Sequence, residues 1–114
     1  MPTPHLVSIG VARTLRKLGG DLREARQRRR LSMQIVADRA RTTRATLTRI
    51  ERGDPAVSMG IYASVLNALG LLEGLGMLAD IATDRVGAEL LAARLPSRVR
   101  QARSGTRSRS SSAR

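Results

Sequence analysis

Residues 31–53 read LSMQIVADRARTTRATLTRIERG, and their pattern decides the fold. Ser32 has the chemistry of a helix N-cap, a hydroxyl that can accept a backbone N–H from the first turn. Leu31 and Val36 stand at the spacing of a hydrophobic staple around it, although Ile35 at N3 rules out a capping box. The predicted helix runs to Arg39 or Ala40, with Val36, Ala37 and Ala40 turned inward. Ala37 is small enough for a crossing helix to approach closely. Ala-Arg-Thr at 40–42 makes a tight turn, and Thr43 caps a second short helix that runs to about Arg52. Leu47 and Ile50, three residues apart, face inward. Gly53-Asp54-Pro55 stops the helix, Gly53 by supplying the left-handed C′ residue and Pro55 by preventing continuation.

The free side of the second helix carries Ala45, Thr48, Arg49 and Arg52, with Arg44 beside them near its start. A helix presented this way fits the major groove of duplex DNA, its first residues reaching base edges. Arg44 and Arg49 can each offer two parallel hydrogen bonds to guanine O6 and N7, worth roughly 1–3 kcal/mol of discrimination. Ala45 and the Thr48 methyl can touch a thymine methyl. Ser32, Thr43 and Thr46 place hydroxyls near helix N-termini, where backbone N–H groups attract phosphate, and Arg41 and Arg52 are placed for backbone contact. The plainer alternative is a solvated arginine face. Taken alone the second helix favours that alternative, but with its preceding helix, turn and stop it points to DNA.

Outward from this stretch, the chain begins with a Pro-rich arm over residues 1–8, then IGVARTLRKL, which can be helical. Gly19-Gly20 is expected to break or weaken that run. A helix is expected from Asp21 to about Arg30, with acids in its first turn and arginines in its last. Downstream, Ser58 caps a helix bearing Ile61, Val65, Leu66 and Leu69, and Gly70 ends it. Leu71 to about Ile81 is expected to form a fifth helix with Leu72, Leu75 and Leu78 along one stripe. Gly74 and Gly76 weaken it by roughly 1 kcal/mol each, while permitting close packing against a second copy. Residues 84–100 read equally as a short helix or an extended piece. The tail QARSGTRSRSSSAR cannot bury enough apolar area to offset its ordering entropy and is expected to be disordered.

The 114 residues allow one small domain with tails. Tyr62 is the only aromatic residue, so the core must be aliphatic, which suits packed helices better than strands. Net charge is +12, distributed as +6 over residues 1–30, +2 over 31–60, −2 over 61–95 and +6 over 96–114. Basic ends around a Leu-rich block suggest a polyanion on one side and a protein contact on the other. Twenty of the 21 basic residues are Arg, a bias that a GC-rich genome also produces. With no Cys there is no disulfide framework or thiolate metal site, which fits a reducing cytosol. The start MPTPHLVS lacks the pattern of a signal peptide, and no apolar run reaches the roughly 18 residues needed to cross a membrane. A cytoplasmic, nucleoid-associated protein is therefore expected. One histidine, His5, and scattered acids offer no nucleophile–base pair or metal cluster, so neither an enzyme nor a cofactor is expected.

The run resembles the xenobiotic-response-element family of regulators, which share the Cro and phage-repressor helix-turn-helix. Leu31, Ser32, Ala37, Arg39, Ala40, Arg44, Thr46, Arg49, Ile50, Glu51, Arg52 and Gly53 match a family-like run LSQEELAERAGVSRSTISRIERG. The resemblance covers about residues 18–80. It implies an all-α, five-helix, lambda-repressor-like domain that binds DNA as a dimer, and an ion pair between Arg26 and Glu51 that orients the recognition helix. Three positions depart from the pattern. Met33 replaces a phosphate-gripping Gln and leaves that contact to backbone N–H groups. Arg41 replaces the turn glycine, at roughly 1 kcal/mol if it is left-handed. Thr42 replaces an apolar turn residue.

A narrower resemblance, in ERGDPAVSMGIYASVLNALGLLEGLGMLAD and RLPSRVR, is to small HipB-type antitoxins. It implies an autorepressor that also binds a HipA-like serine/threonine kinase toxin. The resulting layout is an arm over 1–17, a helix-turn-helix domain over 18–81, an extension over 82–100 for dimer or partner contacts, and a tail over 101–114. Leu72, Leu75 and Leu78 are expected in a dimer interface. The alternatives are a stand-alone regulator without a toxin, or an interaction module that neutralises a toxin without binding an operator. A membrane surface is not an expected partner.

Overall fold

The computed structural model describes residues 7–95, which form six helices and no strand. In chain order these are α1 (Ile9–Arg28), α2 (Met33–Arg39), α3 (Arg44–Glu51), α4 (Met59–Ala68), α5 (Leu72–Gly76) and α6 (Arg85–Arg94). None of the described helices is long and apolar enough to cross a membrane. His5 and the Ser/Arg tail lie outside the described residues. The chain divides into two compact units, one through Leu75 and one from Gly76 onward.

In the first unit the core is aliphatic. Leu22 and Ala25 of α1, Val36 and Ala37 of α2, Leu47 and Ile50 of α3, and Val65 of α4 are buried together, joined by Ala40, Val57, Tyr62 and Leu69. No buried polar or charged residue interrupts them among the described residues. Side chains at these positions recur at helical spacing, which is how seven- and eight-residue helices that are marginal alone become stable together.

Ends of the helices are set by local chemistry. Ser8, Ser32, Thr43 and Ser58 each accept a first-turn N–H of α1 to α4 on the side-chain oxygen. Each of the same four helices then closes on a left-handed residue: Arg30, Arg41, Gly53 and Gly70. After α2, Arg41 N–H donates to Asp38 O and Thr42 N–H to Ala37 O, the paired bonds of a Schellman motif. The same pair of bonds closes α1, α3 and α4. Two of the four left-handed positions are arginine, each costing on the order of 1 kcal/mol relative to glycine.

Two expectations about helix lengths are corrected. Gly19-Gly20 does not break the first helix, which runs unbroken for 20 residues from the Ser8 cap. A Cβ on Gly19 would lie 2.5 Å from the Ile50 carbonyl oxygen, 2.7 Å from the Gly53 nitrogen and 2.8 Å from the Glu51 carbonyl oxygen. Gly19 is thus the place where α1 meets the end of α3, backbone against backbone. Asp21, expected in a first turn, instead lies mid-helix in an exposed ion pair with Lys17 at 2.6 Å. The fifth helix is one short stretch, Leu72–Gly76, rather than a run to Ile81. It contains two glycines and buries no residue, so nothing offsets their backbone entropy. Leu78 consequently lies beyond the helix, in a turn, and the stripe with Leu72 and Leu75 does not continue to it.

In the second unit, the open stretch 84–100 is helical over α6 (Arg85–Arg94), and residues 96–100 lie outside the described residues. Asp84 caps α6 by accepting the Gly87 N–H at 3.0 Å. It buries no residue, and Val86, Leu90 and Leu91 are all exposed.

The Gly19 contact makes a paired prediction. Gly19→Ala forces backbone apart and lowers stability by about 1–3 kcal/mol, the usual range for overpacking. Gly20→Ala, where an added Cβ meets nothing within 4 Å, raises stability by up to about 1 kcal/mol through helix propensity. Urea or thermal unfolding of the two variants checks the opposite signs.

Candidate nucleic-acid interface

The helix-turn-helix is α2, the turn 40–43 and α3. Ser32 Oγ accepts the Ile35 N–H at 3.1 Å, and Thr43 Oγ1 accepts the Thr46 N–H at 3.1 Å. The Thr43 hydroxyl also donates to Thr46 Oγ1 at 3.1 Å, which leaves the Thr46 hydroxyl proton free to act as a donor. Arg41 is exposed, with φ at +56°. Met33, the first residue of α2, is half-buried against the core, so its side chain serves packing.

On α3 the division between faces is sharp. Leu47 and Ile50 are fully buried, while Arg44, Ala45, Arg49 and Arg52 are exposed and Thr48 is half-buried. Thr48 Oγ1 donates to the Arg44 carbonyl at 3.0 Å, which commits its proton and leaves its methyl and the oxygen's acceptor lone pairs for a ligand. Arg49 carries a partner that sequence reading missed: its Nε donates to Asp54 Oδ2 at 2.8 Å. The hydrogen bond from Arg49, together with one from the Ala56 N–H, holds the Asp54 carboxyl below the usual aspartate range.

The orientation of α3 comes from α1. Arg26 Nε donates to Glu51 Oε2 at 2.7 Å and its Nη2 to Oε1 at 3.1 Å, a two-pronged pairing. Arg26 Nη1 adds a bond to the Leu31 carbonyl at 3.2 Å, tying the loop before α2 to the same guanidinium. Only 12% of the Arg26 side chain and 8% of the Glu51 side chain remain exposed. The bond to Glu51 outweighs the opposing effect of burial and raises the Arg26 pKa above its ordinary value, so the guanidinium keeps its charge.

Beside this pair lies an open depression of about 310 Å³ lined by Arg23, Arg26, Met33, Thr48, Glu51 and Arg52. It gathers residues of three helices, with Arg23 and Arg52 as exposed cations at its edge. Arg23 was not expected there. Nothing local in the sequence marks it, because its neighbourhood with Arg52 depends on how α1 crosses α3.

Of the leucines expected at a dimer contact, Leu72 is exposed and Leu75 is half-buried in the first unit. Leu78, in the second, is 74% exposed.

With this geometry in place, comparison with known proteins gives one result. The family model for a helix-turn-helix domain matches residues 17–75, and the chain belongs to that family. Neither a search of curated proteins nor one of solved structures gives a match. The matched span contains the whole of α2, the turn and α3, together with α4 and most of α1.

The mostly buried ion pair makes a further prediction. Arg26→Met leaves the Glu51 carboxylate buried without its cation and lowers stability by about 3–5 kcal/mol. Adding Glu51→Gln removes the uncompensated charge and recovers part of the loss. Urea unfolding midpoints of the single and double variants measure both effects.

Proposed function

We propose that this protein is a sequence-specific regulator that reads duplex DNA with α3. The observation that carries the reading is the exposed, arginine-bearing face of α3, set opposite a fully buried Leu47–Ile50 face and held by the Arg26–Glu51 pair. Arg44, Ala45, Thr48 and Arg49 are assigned to base edges. Ser32, Thr43, Thr46, Arg41 and Arg52 are assigned to phosphates, as is the backbone N–H at Met33. Arg23, at the edge of the depression, adds a cation that the phosphate backbone can use.

A dimer matches the usual way such modules read two half-sites. Supporting it are the exposed apolar side chains that follow α4: Leu71 and Leu72 in the first unit, and Met77, Leu78, Ile81, Val86, Leu90 and Leu91 in the second. The finer reading is an operon autorepressor and antitoxin. It draws on the resemblance to HipB-type regulators and on the apolar surface of the second unit, which suits a protein such as a HipA-like kinase. Co-purification with a kinase encoded beside the gene tests that reading. If a kinase binds while Arg44→Ala and Arg49→Ala leave regulation untouched, the protein is an interaction module instead.

Duplex affinity is expected to fall steeply as salt rises, with a log–log slope of about −0.9 per phosphate neutralised. A flat plot in fluorescence anisotropy would remove the phosphate contacts. Arg44→Ala or Arg49→Ala should weaken binding to the preferred sequence by about 1–3 kcal/mol without changing the circular dichroism spectrum. Wild-type binding by both variants means that the base-reading face is misassigned.

The dimer is tested separately. Sedimentation at micromolar concentration is expected to give twice the monomer mass. Replacing Leu72 and Leu78 by Ser should return the monomer.

A further inference from the structure

Asp54 is bound at four points. Its N–H donates to the Arg49 carbonyl at 3.0 Å, closing α3. Its carbonyl accepts the hydroxyl of the buried Tyr62 at 2.7 Å and the Val57 N–H at 3.4 Å. Oδ1 accepts the Ala56 N–H at 2.8 Å, and Oδ2 accepts Arg49 Nε at 2.8 Å. The residue before it, Gly53, is left-handed and buried against α1, where a side chain would strike the Leu15 carbonyl. Asp54 is therefore a fixed acceptor, attached on one side to the end of α3 and on the other to α4.

The contact to Arg49 is made through Nε alone. Among the described residues, no protein acceptor takes the terminal Nη1 and Nη2 groups, and 49% of the Arg49 side chain is exposed. Those two nitrogens form one edge of the planar guanidinium, and guanine O6 and N7 can accept a parallel pair of bonds from such an edge. A flexible arginine loses several rotors when it binds. One already held at Nε loses fewer.

We infer that Asp54 is a positioning residue that holds the Arg49 guanidinium by Nε and so fixes the direction in which it reads a guanine. This rests on the DNA-binding reading above. It adds a specificity determinant outside the recognition helix, in the loop that follows it. Asp54 bears the same charge as phosphate, so its removal favours duplex binding in general. Loss of base preference on its removal therefore cannot come from lost non-specific attraction.

The experiment presents the full chain with a randomised duplex library and reads base preference position by position. Wild type, Arg49→Ala, Asp54→Asn and the double variant are compared. Asn at 54 keeps an oxygen for the Ala56 N–H and all three backbone bonds, while removing the charge that holds Nε. Wild type should select guanine at one position of the site. Arg49→Ala and Asp54→Asn should each lose that selection by about tenfold and leave other positions unchanged. The double variant should lose no more than Arg49→Ala alone.

An Asp54→Asn variant that keeps the guanine preference overturns the inference. So does one that loses preference equally when Arg49 is absent, since that marks a general structural effect. Wild-type preference in Arg49→Ala overturns the inference together with the assignment of Arg49 to a base. Loss in Arg49→Ala but not in Asp54→Asn overturns the inference alone. An independent readout needs no variant: the Arg49 Nε–H resonance of the wild-type chain should stay protected from exchange when the selected duplex is added. Its deprotection on binding means that Asp54 releases Arg49, and the inference fails.

Discussion

The seat of α3 against α1 is the constraint on which the remainder of the first unit depends. Two glycines and one ion pair make it. Gly19 lets α1 lie on the Ile50 and Glu51 carbonyls, and Gly53 lets the chain leave α3 directly beneath Leu15. Arg26 then grips Glu51, two residues before Gly53, and reaches the Leu31 carbonyl before α2. The hydrophobic core alone would allow α3 to rotate or slide, since burial is non-directional. The glycine contacts fix how near the helices lie, and the two-pronged pairing fixes the rotation of α3 about its axis. That rotation determines which residues of an eight-residue helix face outward.

The consequence is that an exposed surface is specified from inside. Leu47 and Ile50 occupy the buried side, so Arg44, Ala45 and Arg49 fall on the exposed side, where Asp54 adds a contact to Arg49. Beyond α3 the same economy recurs. Gly53 turns the chain, Asp54 follows within a Schellman motif, and the Tyr62 hydroxyl ties Asp54 to α4. Tyr62 is the only aromatic residue in the sequence, and it combines an apolar body in the core with a polar tip that anchors this loop. Burial raises the Tyr62 pKa, keeping the phenol protonated as the donor that this bond requires.

Much of this architecture was legible in the sequence because it is encoded locally. The caps at Ser32, Thr43 and Ser58 and the stops at Gly53 and Gly70 are chemical statements about adjacent backbone groups, and each lies where the residues suggest. Gly19 was misread for the opposite reason. A glycine pair in a helical run carries a local penalty, whereas the packing that offsets it involves carbonyls more than 30 residues away. Arg30 in a left-handed position is likewise invisible to residue preference, whereas the left-handed Arg41 is signalled by the turn glycine that the family resemblance puts there. The Asp54 contact to Arg49 was hidden differently. The acid stands five residues after the arginine, a spacing that does not pair side chains within a helix, and only the reversal at Gly53 brings them together.

The apolar residues of the second unit follow a different physical logic. A ten-residue helix is marginal in water by itself, and α6 contains Gly87 and buries no residue. Val86 and Leu90 are four residues apart, on one side of the helix, and both remain exposed. Such a helix gains from covering that side, since each leucine or valine removed from water contributes about 1.5–3 kcal/mol. The core of the first unit is complete without it, as Leu22, Val36, Leu47, Ile50 and Val65 are already fully buried. The core of the helix-turn-helix and the apolar surface of the second unit therefore draw on different residues. A change confined to Val86 or Leu90 alters that apolar surface and leaves the outward arrangement of α3 to Gly19, Gly53 and the Arg26–Glu51 pair.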